Sequence, residues 1–359
     1  MTQANVLAQL GAQSGPTFRN RIINGAMVID QRNAGASVTP TDNQFLVDRW
    51  KAKLTQASKY SAQQNAGSVT PPVGFNNYLG FTSLSAYSVT STDRFDTVQG
   101  IEGFNFADCN WGTANAKTVT LSFWVYSSLT GTFGGAVGNG AGNRSYPFSY
   151  TISSANTWTQ ASITIAGDTT GTWTGATNGG GLYLYISLGA GSTNSGTAGA
   201  WNGNFNTSAT GATSVVGTSG ATFYITGVQL EVGSSATGFE YVNYQTSLAN
   251  CQRYCVLLAS GIAEWIVSGQ YFGVGDGGGA LRFPTTMRSA PTVTVDAAAS
   301  FAGTIASGSA NAFTAFTPSG YTTNSFLCEF TGNGVGAAGN ALIIKTYTSS
   351  AKMIASAEL

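Results

Sequence analysis

Residues 118–128 read TVTLSFWVYSS. Val119, Leu121, Phe123 and Val125 alternate with Thr120, Ser122, Trp124 and Tyr126, the period of two with which a strand offers one apolar face to a core. The same alternation places Ala161, Ile163 and Ile165 on one face of QASITIAG at 160–167, and Leu182, Leu184, Ile186 and Leu188 on one face of LYLYISLG at 182–189. Strands of this kind are half-buried and antiparallel. In ATFYITGVQLEVG at 221–233 the apolar phase slips from Phe223 and Ile225 to Val228, Leu230 and Val232, which predicts a bulge at Gly227.

Further short strands are expected on both sides of these. RIINGAMVI at 21–29, FLVDRWKAKL at 45–54 and YLGFTSL at 78–84 precede them, each bounded by Gly, Asn, Pro or Asp. EWIVSGQYFGV at 264–274, ALRFP at 280–284, PTVTV at 291–295, SFLCEF at 325–330 and ALIIKTYT at 341–348 follow. Long polar loops stand at 138–144 and 189–214. TSLANCQRYC at 246–255 is the best helix candidate, with Ser247 as a candidate cap. The organisation expected is an attachment segment at 1–20 carrying an apolar stripe of Val6, Leu7 and Leu10, a β-sandwich at 21–245, a short helical linker at 246–255 and a smaller β-rich domain at 256–359. No fixed period argues for a solenoid or β-helix.

Composition agrees with an all-β chain. Apolar residues make up 42% and charged residues only 8%, against about a quarter in ordinary globular chains, so the surface is expected to be neutral. The 47 glycines accompany 12% aromatics, a mixture that fits turn-rich β-structure better than disorder. Fifteen basic and fifteen acidic residues cancel, which removes the main attraction for nucleic acid and for anionic membranes. No membrane span is legible, and MTQANVLAQLGAQSG lacks the regions of a signal peptide, so the chain is expected to stay where it is translated. Cys109, Cys251, Cys255 and Cys328 are expected as free, buried thiols; Cys251 and Cys255 are spaced to share a helix face, but with no histidine and only two other thiols a zinc site is not expected.

The chain has no His, which excludes Ser–His and Cys–His nucleophiles and any His-ligated metal. Glycoside hydrolysis needs only two carboxylates, and Asp93, Asp96 and Glu102 in TSTDRFDTVQGIEG are the least implausible acids. That stretch reads as a loop with Arg94 between the aspartates, so solvated or ion-paired carboxylates are expected there. Asp30, Asp48 and Glu231 sit beside apolar strands and are expected to pair with Arg32, Arg49 or Arg21. DGGG at 276–279 and GNGAGN at 138–143 are turns, since no Lys follows them as a phosphate loop requires. No catalytic residue, metal or cofactor is assigned.

Aromatic side chains are the remaining resource, because a flat ring offers an apolar face to the C–H side of a pyranose. Trp173 and Trp201 stand in Gly- and Thr-rich loops, where sugar stacking and packing are both open. Tyr183 and Tyr185 lie opposite the leucines of their strand and are expected to pack against a partner sheet or subunit. In the smaller domain the candidates are Trp265, Tyr271, Phe272, Asp276 and Tyr321, each of which suits ligand contact or core equally.

FRNRIINGAMVIDQRNAG at 18–35, FLVDRWKA at 45–52 and GVQLEVGSSATGFEYVNYQTSLANCQRYC at 227–255 resemble, in order and spacing, a module of tailed-bacteriophage tail fibre proteins. That module is similar to a jelly-roll carbohydrate-binding domain. LRFPTTMRSAPTVTV at 281–295 through to the final SAEL resembles the tip domain that follows it. The resemblance implies a non-enzymatic virion protein, a homotrimer joined to tail or baseplate proteins by its N-terminal segment, with its distal end on a host glycan or surface protein. A capsid-decorating or connector fibre is the alternative within the same chemistry, and a polysaccharide depolymerase is the alternative outside it. Such jelly rolls often hold calcium through an acidic residue in the penultimate strand; Thr226 and Gly227 stand there in this chain, which speaks against calcium.

Overall fold

The computed structural model describes residues 18–304 and 310–359. The expected stripe of Val6, Leu7 and Leu10 lies outside the described residues. The chain divides between Asn243 and Tyr244 into two compact units, both built of β-structure.

The first unit is a sandwich of two antiparallel sheets. One runs β1 (Phe45–Val47), β2 (Trp50–Leu54), β5 (Arg94–Glu102), β10 (Gly180–Ala190), β7 (Gly131–Gly138) and β8 (Ser145–Ile152). The other runs β3 (Tyr60–Gln64), β4 (Leu79–Ser83), β13 (Thr222–Val232), β6 (Val119–Ser127) and β9 (Thr159–Ile165). The chain passes repeatedly from sheet to sheet, from β5 to β6, from β8 to β9 and from β9 to β10, which is the jelly-roll winding. Val119, Leu121, Phe123 and Val125 of β6 meet Leu182, Leu184, Ile186 and Leu188 of β10 in one core. Burial of each such side chain contributes about 1.5–3 kcal/mol.

The bulge occurs where the phase slips. The pairing of β13 with β6 loses register between Thr226 and Gln229, and Gly227 takes a left-handed φ of 63°. A Cβ at Gly227 would stand 2.6 Å from the Phe75 ring, so both backbone and space require glycine.

Four local expectations are corrected. RIINGAMVI forms turns instead of a strand, because Asn24 and Met27 are left-handed (φ 57° each) and the Asn24 amide is committed to the Ile29 and Asp48 carbonyls at 2.8 and 2.9 Å. FLVDRWKAKL is a hairpin, β1 and β2, turning at Arg49 with φ 72°. The Asp93–Glu102 stretch is no loop; residues 94–102 are β5, a strand inside the six-stranded sheet, and Asp96 and Glu102 are buried. Polar Gln99 is buried on this strand, exchanging 2.9 Å hydrogen bonds with both backbone groups of Ile23, and this hides the alternation. The loop at 189–214 contains the short parallel pair β11 (Ser195–Gly196) and β12 (Ser208–Ala209), and β12 lies against β7, β8 and β10.

Ion pairing is partly reassigned. Asp48 meets Arg32 at 4.0 Å, but Glu231 meets Arg19 at 3.6 Å while Arg21 turns to Asp108 at 2.8 Å. Asp30 accepts the backbone amides of Asn33 and Gly35 at 3.0 and 2.8 Å, closing a turn.

The second unit opens with α1 (Tyr244–Gln252), which packs against β14 (Cys255–Ser260). The helix starts before Ser247, so that residue lies within it, and Asn243 holds the position that favours a cap. Within 246–255 the helix ends at Gln252 and β14 begins at Cys255, with Arg253 and Tyr254 in the turn between them. Cys251 and Cys255 do not share a helix face, since Cys255 begins β14, and all four cysteines are buried and outside any disulfide. Burial pushes the Cys109 and Cys328 thiols up to about 12.

A three-stranded sheet, β14, β23 (Lys352–Ser356) and β17 (Thr292–Val295), shares a core with a seven-stranded one. The latter runs β19 (Ala310–Ala312), β18 (Phe301–Thr304), β22 (Ala341–Thr346), β15 (Trp265–Tyr271), β16 (Gly277–Arg282), β21 (Ser325–Thr331) and β20 (Ala315–Phe316). Phe301, Phe313, Phe326, Phe330 and Ile344 fill the space between them.

Candidate functional site

The carboxylates of the first unit are structural in their geometry. Asp93 accepts from the Thr90 amide and hydroxyl at 2.8 and 2.7 Å, from Thr55 at 2.8 Å and from the Tyr87 hydroxyl at 2.9 Å. Burial opposes its ionisation, but these donors outweigh it and hold the carboxyl at about 2. Asp96 is paired with Arg94 at 3.0 Å, yet full burial dominates and raises its carboxyl to about 6. Asp96 and Glu102 lie on one strand at a rise of about 3.3 Å per residue, hence roughly 20 Å apart. A glycosidase pair needs about 5–9.5 Å, so these two acids cannot flank one bond.

Trp173 and Trp201, distant in sequence, come together in the first unit. Their rings lie 5.6 Å apart, and both meet Trp111, at 4.8 and 5.1 Å, in edge-to-face contacts. Trp111 was not a sequence candidate, since nothing local to it announces the encounter. Beneath them Arg144 grips Asp168 through Nε and Nη2 at 2.7 and 2.6 Å. Burial works against ionisation of Asp168, but Arg144, the Thr170 amide and the Trp173 indole hold its carboxyl below the usual value. All three indole N–H groups donate within the chain: Trp111 to the Lys117 carbonyl at 2.7 Å, Trp173 to Asp168 at 3.2 Å, Trp201 to the Ala166 carbonyl at 2.7 Å. The cluster is a satisfied extension of the core with two half-exposed indole faces. Tyr185 is also taken into packing, but under Phe205 of the chain's own loop at 5.8 Å, with Arg94 over both rings.

The candidates of the second unit separate. Tyr271 is buried, and its hydroxyl accepts from Asn333 at 2.9 Å. Asp276 takes the Gly332 amide on its carboxylate at 2.9 Å and the Phe272 amide on its carbonyl at 2.7 Å, fixing the turn that presents Phe272. Tyr321 stacks on Phe326 at 6.1 Å and is itself 38% exposed. Trp265 and Phe272 remain outside, 62% and 47% exposed.

These two aromatics border an open face of the seven-stranded sheet. Ser268 and Gln270 alternate outward from β15, opposite Ile343 and Ala341 of β22, while Gly278 and Ala280 of β16 oppose Glu329 and Leu327 of β21. A groove of about 370 Å³ runs over Ser268, Gln270, Phe272, Ala280 and Leu327, and a smaller recess of about 150 Å³ continues from Ser268 to Ile343 and Trp265. Its floor is backbone: a Cβ at Gly269 would stand 1.9 Å from the Gly278 carbonyl oxygen. Among the described residues neither the Ser268 hydroxyl nor the Gln270 amide has an intrachain hydrogen bond, so both are free to bind at the surface. The arrangement offers a shallow trough of mixed polar and apolar lining with two flat rings beside it.

No family model matches the sequence, and no curated protein matches it. Among solved structures the chain is similar over 60% of its length to the enzymatically active domain of tailspike protein 4 of bacteriophage CBA120, at 14% identity and a TM-score of 0.33. It spans 22% of that chain. It is similar over 60% of its length to 99% of TmCBM61 in complex with β-1,4-galactotriose, at 11% identity and a TM-score of 0.31. It is also similar over 57% of its length to 99% of the family 11 carbohydrate-binding module of a cellulosomal cellulase of Clostridium thermocellum, at 13% identity and a TM-score of 0.28. No helix among the described residues is long and apolar enough to cross a membrane.

Proposed function

We propose that the chain is a non-catalytic, glycan-binding protein of a bacteriophage particle, a tail fibre or tail-tip subunit that attaches to the bacterial surface. The observation that carries this reading is the groove between Trp265 and Phe272, two large exposed rings beside free polar groups on a backbone-floored sheet face. The order and spacing of the segments at 18–35, 45–52 and 227–255 supply the viral context. A homotrimer, joined to the tail through the N-terminal segment at 1–20, belongs to the same proposal; several copies would multiply weak contacts. The depolymerase alternative loses its acids to the strand geometry of Asp96 and Glu102 and to the four donors on Asp93.

The test is retention of the purified full-length chain on a panel of immobilised bacterial surface polysaccharides, with oligomer mass recorded by light scattering. Saturable retention without release of reducing ends supports the proposal. A well-folded chain retained by no polysaccharide argues for a connector or capsid fibre, and release of reducing ends overturns the non-catalytic reading.

A further inference from the structure

The groove carries an asymmetry of charge. Residues 256–359 contain four basic side chains, Arg282, Arg288, Lys345 and Lys352. Arg288 is spent on the carbonyls of Ala357 and Glu358 at 2.7 and 2.9 Å, and Lys352 lies on the other sheet. The remaining two flank the groove at one end. Lys345 is the strand partner of Trp265, its ammonium 5.7 Å from the indole centroid. Arg282 is exposed, two residues beyond Ala280 on the same face of β16, and because β16 runs antiparallel to β15 this is the Trp265 end. Among the described residues neither makes an ion pair. Of the carboxylates nearby, Glu264 accepts the Ser260 amide at 2.7 Å and Glu329, at the far end opposite Gly278, accepts the Ser319 hydroxyl at 2.7 Å; both keep their charge, and neither forms an ion pair with Lys345 or Arg282. On a chain with 8% charged residues, two unpaired cations on either side of an exposed Trp form a distinct feature.

Resting on the glycan-binding reading, we infer that the ligand of this groove is an acidic polysaccharide, bound with a sugar ring on Trp265 and its carboxylate between Lys345 and Arg282. A guanidinium and an ammonium differ in geometry but both favour a carboxylate, and the adjoining indole face takes the apolar side of the ring. Exposed charges of this kind act through water and are screened by salt, so the preference weakens as ionic strength rises.

The test titrates the full-length chain with alginate, a polyuronate, and with dextran, a neutral glucan, at low and at physiological salt. The expected result is tighter binding of alginate than of dextran at low salt, about tenfold weakening of alginate alone in the double variant R282Q/K345Q, and a smaller preference at physiological than at low salt. Circular dichroism and the melting temperature of the variant, expected unchanged, exclude unfolding. Equal affinity for the two polymers at low salt, no binding of alginate, or alginate affinity unchanged in R282Q/K345Q overturns the acidic-ligand assignment. The glycan-binding reading itself stands or falls on a different variant, W265A, which is expected to weaken both polymers. A chain that binds dextran through Trp265 with no preference for alginate would keep that reading and lose this inference.

Discussion

Glu240 receives the backbone amide of Asn20 on its carboxylate at 2.6 Å, and the same oxygen takes the amide of Arg19 at 3.0 Å. The place where the chain enters the jelly roll is thereby tied to the place where it leaves, and both ends of the first unit lie side by side. Replacing Glu240 by Ala strands two amides and is expected to cost about 1–3 kcal/mol, whereas Gln, which keeps an acceptor, costs less. Urea unfolding of the two variants checks the order; equal loss in both would mean that charge, and not the accepted hydrogen bonds, matters.

Asp96 makes stability depend on pH in an unusual direction. Its folded carboxyl is raised to about 6 by burial, so the native state binds the proton more tightly than the unfolded chain does. Its contribution is most favourable below the ordinary carboxylate value and is lost as pH rises through about 6, a change of roughly 3 kcal/mol. The melting temperature of the wild type relative to D96N is expected to fall between pH 4 and pH 7; a constant difference would contradict the assignment.

The Trp173 indole of the three-ring cluster donates to the Asp168 carboxylate at 3.2 Å, so the cluster is expected to loosen when that charge is removed. D168N removes the charge gripped by Arg144 and is expected to cost about 2–3 kcal/mol at neutral pH. Because the folded carboxyl of Asp168 is lowered, this contribution is present at neutral pH and lost as pH falls below the usual carboxylate range. Tryptophan fluorescence should report loosening of the three-indole cluster in D168N, and an unchanged spectrum would show that the rings hold one another without it.

At Gly227 even alanine is too large. G227A places a Cβ against the Phe75 ring in a left-handed backbone and is expected to destabilise the first unit by about 1–3 kcal/mol. The check is thermal unfolding, in which a wild-type melting point for G227A would mean that the bulge relaxes freely.

How much of this was legible follows from which side chains face the core. On β6, β9 and β10 the core-facing positions are apolar, and on β13 they change phase once, so alternation revealed strand, face and bulge. On β5 a buried polar residue, Gln99, breaks the pattern, and its hydrogen bonds to Ile23 become visible only when a distant segment is in place. Trp265 and Phe272 were candidates from sequence, but their common face was not. It depends on the register shift of β15 between Trp265 and Val267, which sets Ser268 opposite Ile343. The third indole, Trp111, is brought in by packing between loops, for which a single sequence carries no periodic signal.

The central claim is that the Trp265–Phe272 groove is where the protein meets a glycan. The most direct test compares wild type with W265A/F272A for binding to whichever polysaccharide retains the wild-type chain. Both rings are exposed, so the variant should fold and melt as the wild type does while binding falls by at least about tenfold, the loss of one to two stacking contacts. A folded W265A/F272A that binds with wild-type affinity would contradict the claim and turn attention to the half-exposed indoles of Trp173 and Trp201.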